Sequence, residues 1–154
     1  MRYEFKTKTF SVIHEPVKTQ GLVSSPDDVV PFLKGVFQDC DADKEHFAVI
    51  FLDVRNNITG YKIVSIGTIS SCLVHPREVF RPAIEASASS IIVAHTHPSQ
   101  DVKPSNEDTE ITERLAHSGR LLGIPLLDHV IMASGITPTS AWNAFGGQIL
   151  ATIK

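Results

Sequence analysis

A chain of 154 residues with 42% hydrophobic content has the size and apolar fraction of one ordinary globular domain built on a single core. Its net charge of −3 and isoelectric point near 6.1, with lysines and arginines scattered along the chain, leave no electrostatic footprint for nucleic acid, so direct duplex binding is disfavoured. No apolar run nears the roughly 18 residues of a membrane span, and the N-terminus lacks a secretory core. A cytoplasmic protein is therefore expected, and Cys40 and Cys72, which form no C-x-x-C pair, are expected to be reduced, buried thiols, without a disulfide framework or a cysteine zinc site.

Tyr3 to Phe10 alternate in a strand-like way, which predicts an N-terminal strand or arm over 1–24 ahead of one domain over 25–154. Ser24-Ser25-Pro26-Asp27-Asp28 reads as a helix start with acidic residues in the first turn, leading through Val29 to Phe37; Pro31 is expected to kink the helix or delay its start. Asp39 to Asp43 is a loop. Phe47 to Asp53 and Tyr61 to Gly67 are strands, and Arg55-Asn56-Asn57 supply the turn of a hairpin. Pro76 to Ala88 is expected to be helical, with Val79, Ala83 and Ala86 on one side and Pro82 shortening or kinking it. Leu126 to Met132 is a further strand. Helices alternating with strands, with a hairpin present, predict an α/β fold whose mixed, largely antiparallel sheet is flanked by helices. No structure is assigned to the tail from Trp142 to Lys154.

The informative stretch lies between these elements. Ser90 to Ala94 is a short, uncharged, β-branched run that reads as a buried strand, and it leads into His95-Thr96-His97 before Pro98 ends the ladder. Residues two apart in a strand share a face, so both imidazoles enter one space. Pro104-Ser105 then opens a helix with Gly119 as its expected stop, and Asp108, Ile111 and Leu115 fall on one helical face, which turns Asp108 inward. The pattern H-x-H-x7-S-x2-D thus offers two neutral imidazoles and a carboxylate, a set that suits Zn2+ with the fourth tetrahedral position left for water. Against this, Ser-x-x-Asp at a helix start is also a capping motif, and histidines on a strand can be surface residues.

The spacing resembles the metal motif of the JAMM (MPN-plus) metalloproteases. The wording HPREVFRPAIEASASSIIVAHTHPS, with GRLLGIPLLDHVIM further on, is similar to the RadC branch of that family from about Ser25 to Gly147. Thr96 and Gln100 depart from the usual RadC wording at positions that are not ligands, and the chain is too short to hold the helix-hairpin-helix module that RadC proteins often carry. The resemblance implies the MPN/JAB fold, a three-layer sandwich similar to that of cytidine deaminases. It also implies a zinc metallopeptidase or isopeptidase, with His95, His97 and Asp108 as metal ligands.

The family places its general base, a glutamate, at the start of a strand well upstream of H-x-H, and Glu45 stands at the matching place. On the residues alone Glu45 reads as a solvent-exposed acid beside an acidic loop. Glu78 competes with it but equally fits a first-turn carboxylate on a helix dipole, and His75 fits a helix-start role before Pro76. Ser105 is carried over from the family as donor to the oxyanion of the tetrahedral intermediate, beside its plain role as an N-cap. Asp128 and His129 point to opposite faces of their strand; one of them can orient a ligand histidine, and Asp128 is preferred. His14, His46 and His117 have no partners by spacing and are expected at the surface.

Two other functions stay open: a DNA-repair-associated role suggested by the RadC name, and a non-catalytic MPN binding module. A local basic groove from Arg77, Arg81, Arg114 and Arg120 is the one route left to nucleic acid. A peptide or protein substrate is implied without identifying it, no membrane partner is expected, and a homodimer remains open. A cytidine deaminase is excluded, because the chain lacks H-x-E and P-C-x-x-C.

Overall fold

Six consecutive apolar residues from Phe47 to Leu52 cannot alternate between core and solvent, and the chain uses them in a strand covered on both faces. In the computed structural model, which describes residues 22–67, 74–99, 101–133 and 139–140, this strand is β1 (Glu45–Leu52). It follows α1 (Pro26–Phe37) and precedes β2 (Ile58–Gly67), α2 (Pro76–Glu85), β3 (Ser90–Thr96), α3 (Asn106–Leu122), β4 (Leu126–Met132) and the short β5 (Thr139–Ser140). The strands form one sheet in the order β2-β1-β3-β4-β5, antiparallel except for the β3–β4 pair, which α3 connects. The expected α/β fold with a mixed, largely antiparallel sheet is therefore observed.

Strand alternation divides the core in two. Phe47, Val49 and Phe51 of β1, with Ile91 and Val93 of β3, face α2 and α3 and bury Val79, Phe80, Ala83 and Leu115. Ile50, Leu52, Ile92, Ala94, Val130 and Met132 face the other way, where Val29 and Leu33 of α1 close over them. Helices thus cover both faces, the three-layer arrangement. Each fully buried Val or Leu in these layers contributes about 1.5–3 kcal/mol. The β1–β2 hairpin turns as expected at Asn56, whose φ of 59° is left-handed, and the Asp53 carboxylate accepts the N–H groups of Arg55 and Asn57.

Three local expectations are corrected. Pro31 does not delay α1, which begins at Pro26 and runs through it. Helix α2 ends at Glu85, short of Ala88, because Ser87 turns into the left-handed region at φ 53°. Gly119 does not stop α3; the stop is Gly123, at φ 71° with its N–H on the Arg120 and Gly119 carbonyls. Gly119 serves close packing instead, since a Cβ there would lie 2.4 Å from the Ile124 carbonyl oxygen.

The strand expected at Tyr3 to Phe10, Cys72, Gln100 and the tail from Trp142 lie outside the described residues. No helix among those described is long and apolar enough to cross a membrane.

Candidate metal centre

The register of β1 against β3 builds the site. Phe47 pairs with His95, and continuing the same antiparallel ladder sets Glu45 across from His97, so all four side chains belong to the face covered by α2 and α3. Phe47 stacks on His95 at 5.8 Å between ring centroids and meets His129 edge-on at 5.5 Å, giving the imidazoles an apolar floor. Just past β3, His97 keeps the same side, and its backbone N–H bonds the Met132 carbonyl of β4.

Asp108 arrives from the first turn of α3, and the capping motif and the inward carboxylate turn out to be the same residue. Ser105 caps the helix by accepting the Asp108 N–H at 3.1 Å, while Asp108 Oδ2 accepts the Ser105 N–H at 2.8 Å. Its other oxygen, Oδ1, lies 3.0 Å from His95 Nε2, and Oδ2 lies 3.4 Å from His97 Nε2. The two Nε2 atoms are 2.8 Å apart. His95, His97 and Asp108 thus bring one ligand atom each to within 4.8 Å of one another, the one such cluster among the described residues.

The electrostatics follow from this packing. Burial works against charge on Asp108, but the His95 and His97 imidazoles and the Ser105 N–H outweigh it and hold the carboxyl far below the usual carboxylate range. The hydrogen bond to Asp108 raises His97; burial opposes this, while the Asp101 carbonyl and the Glu45 charge add to it. Burial, with His95 beside it, pushes His129 well below the ordinary imidazole value.

The donor set fits a metal. His97 Nδ1 lies 2.6 Å from the Asp101 carbonyl oxygen, which can only accept, so Nδ1 carries a proton and, in the neutral ring, Nε2 is the nitrogen that offers a lone pair. That nitrogen, the nearby His95 Nε2 and a carboxylate converge on one point, an arrangement that could hold a metal ion. Two imidazoles and one carboxylate suit zinc.

Glu45 opens β1 and is half-buried, and its charge acts on His97 as noted. Thr96, between the histidines, fixes it: the Thr96 hydroxyl accepts the His46 N–H at 3.0 Å and donates to the Lys44 carbonyl at 3.3 Å, tying down the peptide on both sides of Glu45. Glu78 is exposed in the first turn of α2 and pairs with Arg77 at 3.4 Å, and Arg81 pairs likewise with Glu85 at 3.6 Å. The Ser105 hydroxyl donates to Asp108 Oδ2 at 2.8 Å.

Two expectations are corrected here. The group that meets His95 is His129, with Nε2 2.7 Å from His95 Nδ1, whereas Asp128 accepts the His129 backbone N–H and lies on the opposite face. The cause is a register shift in the β3–β4 pair. Ile91 faces Leu126 but Ile92 faces Asp128, and the extra residue reverses which side chains face α3 from there on. His46 is also not a surface residue. It is 4% exposed, with Nε2 3.1 Å from the Asp41 carbonyl, because β1 is covered on both faces. His117 is exposed as expected. The contribution of Asp101 is a backbone carbonyl and has no signature in the sequence.

The family model described as RadC-like JAB domain matches residues 23–143. The chain is 50% identical over 114 residues to a UPF0758 protein of Rubrobacter xylanophilus, covering 74% of this chain and 49% of the relative. It is 49% identical over 122 residues to one of Caldanaerobacter subterraneus (77% and 52%), and 39% over 133 residues to one of Methanosarcina mazei (86% and 56%). The chain spans about half the length of the curated relatives it matches.

Proposed function

The chain belongs to the RadC-like JAB domain family, and on that premise we propose that it is a zinc-dependent metallopeptidase or isopeptidase that hydrolyses an amide bond. The observation that carries this reading is the convergence of His95 Nε2, His97 Nε2 and the Asp108 carboxylate at the mouth of a sheet, beside a strand-opening glutamate.

When bound there, zinc lowers the pKa of water to about 7 and polarises a carbonyl. The chain supplies the rest. Glu45, held by the Thr96 bridge, takes a proton from the attacking water and delivers it to the leaving nitrogen. Ser105 turns its hydroxyl proton from Asp108 to the oxyanion as charge develops, while its lone pair keeps the helix cap. Phe47 excludes water from beneath the histidines.

The test is incubation of zinc-reconstituted protein with peptide and isopeptide libraries, with new termini read by mass spectrometry. Cleavage that is lost on chelation and in Glu45→Gln is expected. Fully zinc-loaded protein that cuts neither bond type would overturn the reading.

A further inference from the structure

Thr112 stands one turn after Asp108 on α3, is buried, and touches two groups. Its Oγ1 lies 2.5 Å from the Asp108 carbonyl oxygen and 2.6 Å from His129 Nδ1. A carbonyl oxygen can only accept, so the one hydroxyl proton goes to Asp108 and the hydroxyl oxygen must accept from His129 Nδ1–H. His129 is 2% exposed, and its two ring nitrogens meet only the Thr112 hydroxyl and the His95 ring, so the buried ring is uncharged with a single proton and its Nε2 carries a lone pair. That lone pair faces His95 Nδ1 at 2.7 Å, so His95 carries its proton on Nδ1. His95 Nε2 is left with its lone pair aimed at His97 and Asp108. With His129 uncharged each step admits one direction, and the Asp108 backbone carbonyl, which can only accept, sets it.

We propose that Thr112 and His129 are positioning residues, a directional hydrogen-bond relay anchored on the Asp108 carbonyl that locks His95 in the tautomer able to ligate a metal. The proposal deepens the zinc-hydrolase reading and rests on it for its purpose. The relay makes one residue serve the centre twice, since the Asp108 side chain faces the ligand site and its peptide carbonyl sets the polarity of the opposite ligand. Outer partners of metal histidines commonly fix tautomer and orientation in this way. Here the register shift in the β3–β4 pair is what brings His129 to the right face.

The test has two arms. Long-range proton–nitrogen NMR of metal-free protein with 15N-labelled histidine reads the tautomers directly; proton on Nδ1 is expected for both His95 and His129. Zinc affinity, measured by competition with a chromophoric chelator, is expected to fall about 10–100-fold in Thr112→Val and His129→Leu. It should return to within a few-fold of wild type in Thr112→Ser, which restores the hydroxyl, and in His129→Gln, which keeps an acceptor near Nε2. Packing alone would not predict that rescue. A His95 proton on Nε2 or shared between both nitrogens in wild type would overturn the proposal, as would undiminished zinc affinity in Thr112→Val. Wild-type protein that binds no zinc defeats the hydrolase reading instead, and the NMR arm, needing neither metal nor a variant, still decides the relay.

Discussion

His95 Nε2 and His97 Nε2 lie 2.8 Å apart with the Asp108 carboxylate against both. In the metal-free protein the hydrogen bond to Asp108 raises the His97 pKa, against burial, and favours a proton on that ring. A group whose folded pKa is raised adds stability that is fully present below its unfolded value, near 6.5, and lost as pH rises through the folded pKa. Metal-free protein is therefore expected to lose melting temperature above about pH 6.5, more than His97→Gln does, while zinc affinity climbs over the same range. Thermal melts and zinc titrations across that range check both slopes; a flat wild-type profile would contradict the pairing.

Asp108 gives the acid limb. Its folded pKa is depressed, so its contribution is present above the unfolded value, near 3.8, and lost as pH falls further toward the folded one. Metal-free Asp108→Asn should show a shallower loss of stability than wild type below about pH 4 in acid denaturation. The His97 and Asp108 shifts describe one coupling and count once.

Glu45→Gln is expected to keep zinc and lose turnover by about 10²–10⁴-fold, the usual range for a lost general base. Metal content with single-turnover kinetics checks this. Equal losses of zinc and activity would assign Glu45 to the ligand set instead.

Thr96→Val removes the hydroxyl that bridges the Lys44 carbonyl and the His46 N–H. A smaller fall in kcat than in Glu45→Gln is expected, with zinc retained, because only the placement of the base is loosened. Unchanged kcat would show that β1 pairing alone holds Glu45.

Gly119→Ala is expected to cost about 1–3 kcal/mol by overpacking against the Ile124 carbonyl, whereas Gly35→Ala, with nothing near its Cβ position in α1, should stabilise by about 0.5–1 kcal/mol. Urea denaturation of the two variants separates close packing from helix propensity.

The convergence of His95, His97 and Asp108 was readable because each member obeys a local rule. Period-two alternation places His95 beside His97, and a capping motif at the start of an amphipathic helix turns Asp108 inward. Helices flanking the sheet were readable from the alternation of helix and strand patterns, and the uncharged β-branched run of β3 marked a buried strand. What escaped depends on pairing between distant segments. One extra residue in β4 decides whether Asp128 or His129 reaches His95, and nothing local in Leu126-Leu127-Asp128-His129 marks it. Gly119 and Gly123 are alike as local stop signals, and only the approach of Ile124 separates packing glycine from cap. His46 looked polar and unattached, but a strand covered on both faces buries it and leaves its Nε2 to the Asp41 carbonyl.

Metal content tests the central claim most directly: plasma mass spectrometry on tag-free protein, wild type beside His97→Ala and Asp108→Ala. About one zinc per chain in wild type, lost in both variants, is the result the convergence of these side chains predicts. Wild-type protein that holds no metal even after zinc reconstitution would contradict it.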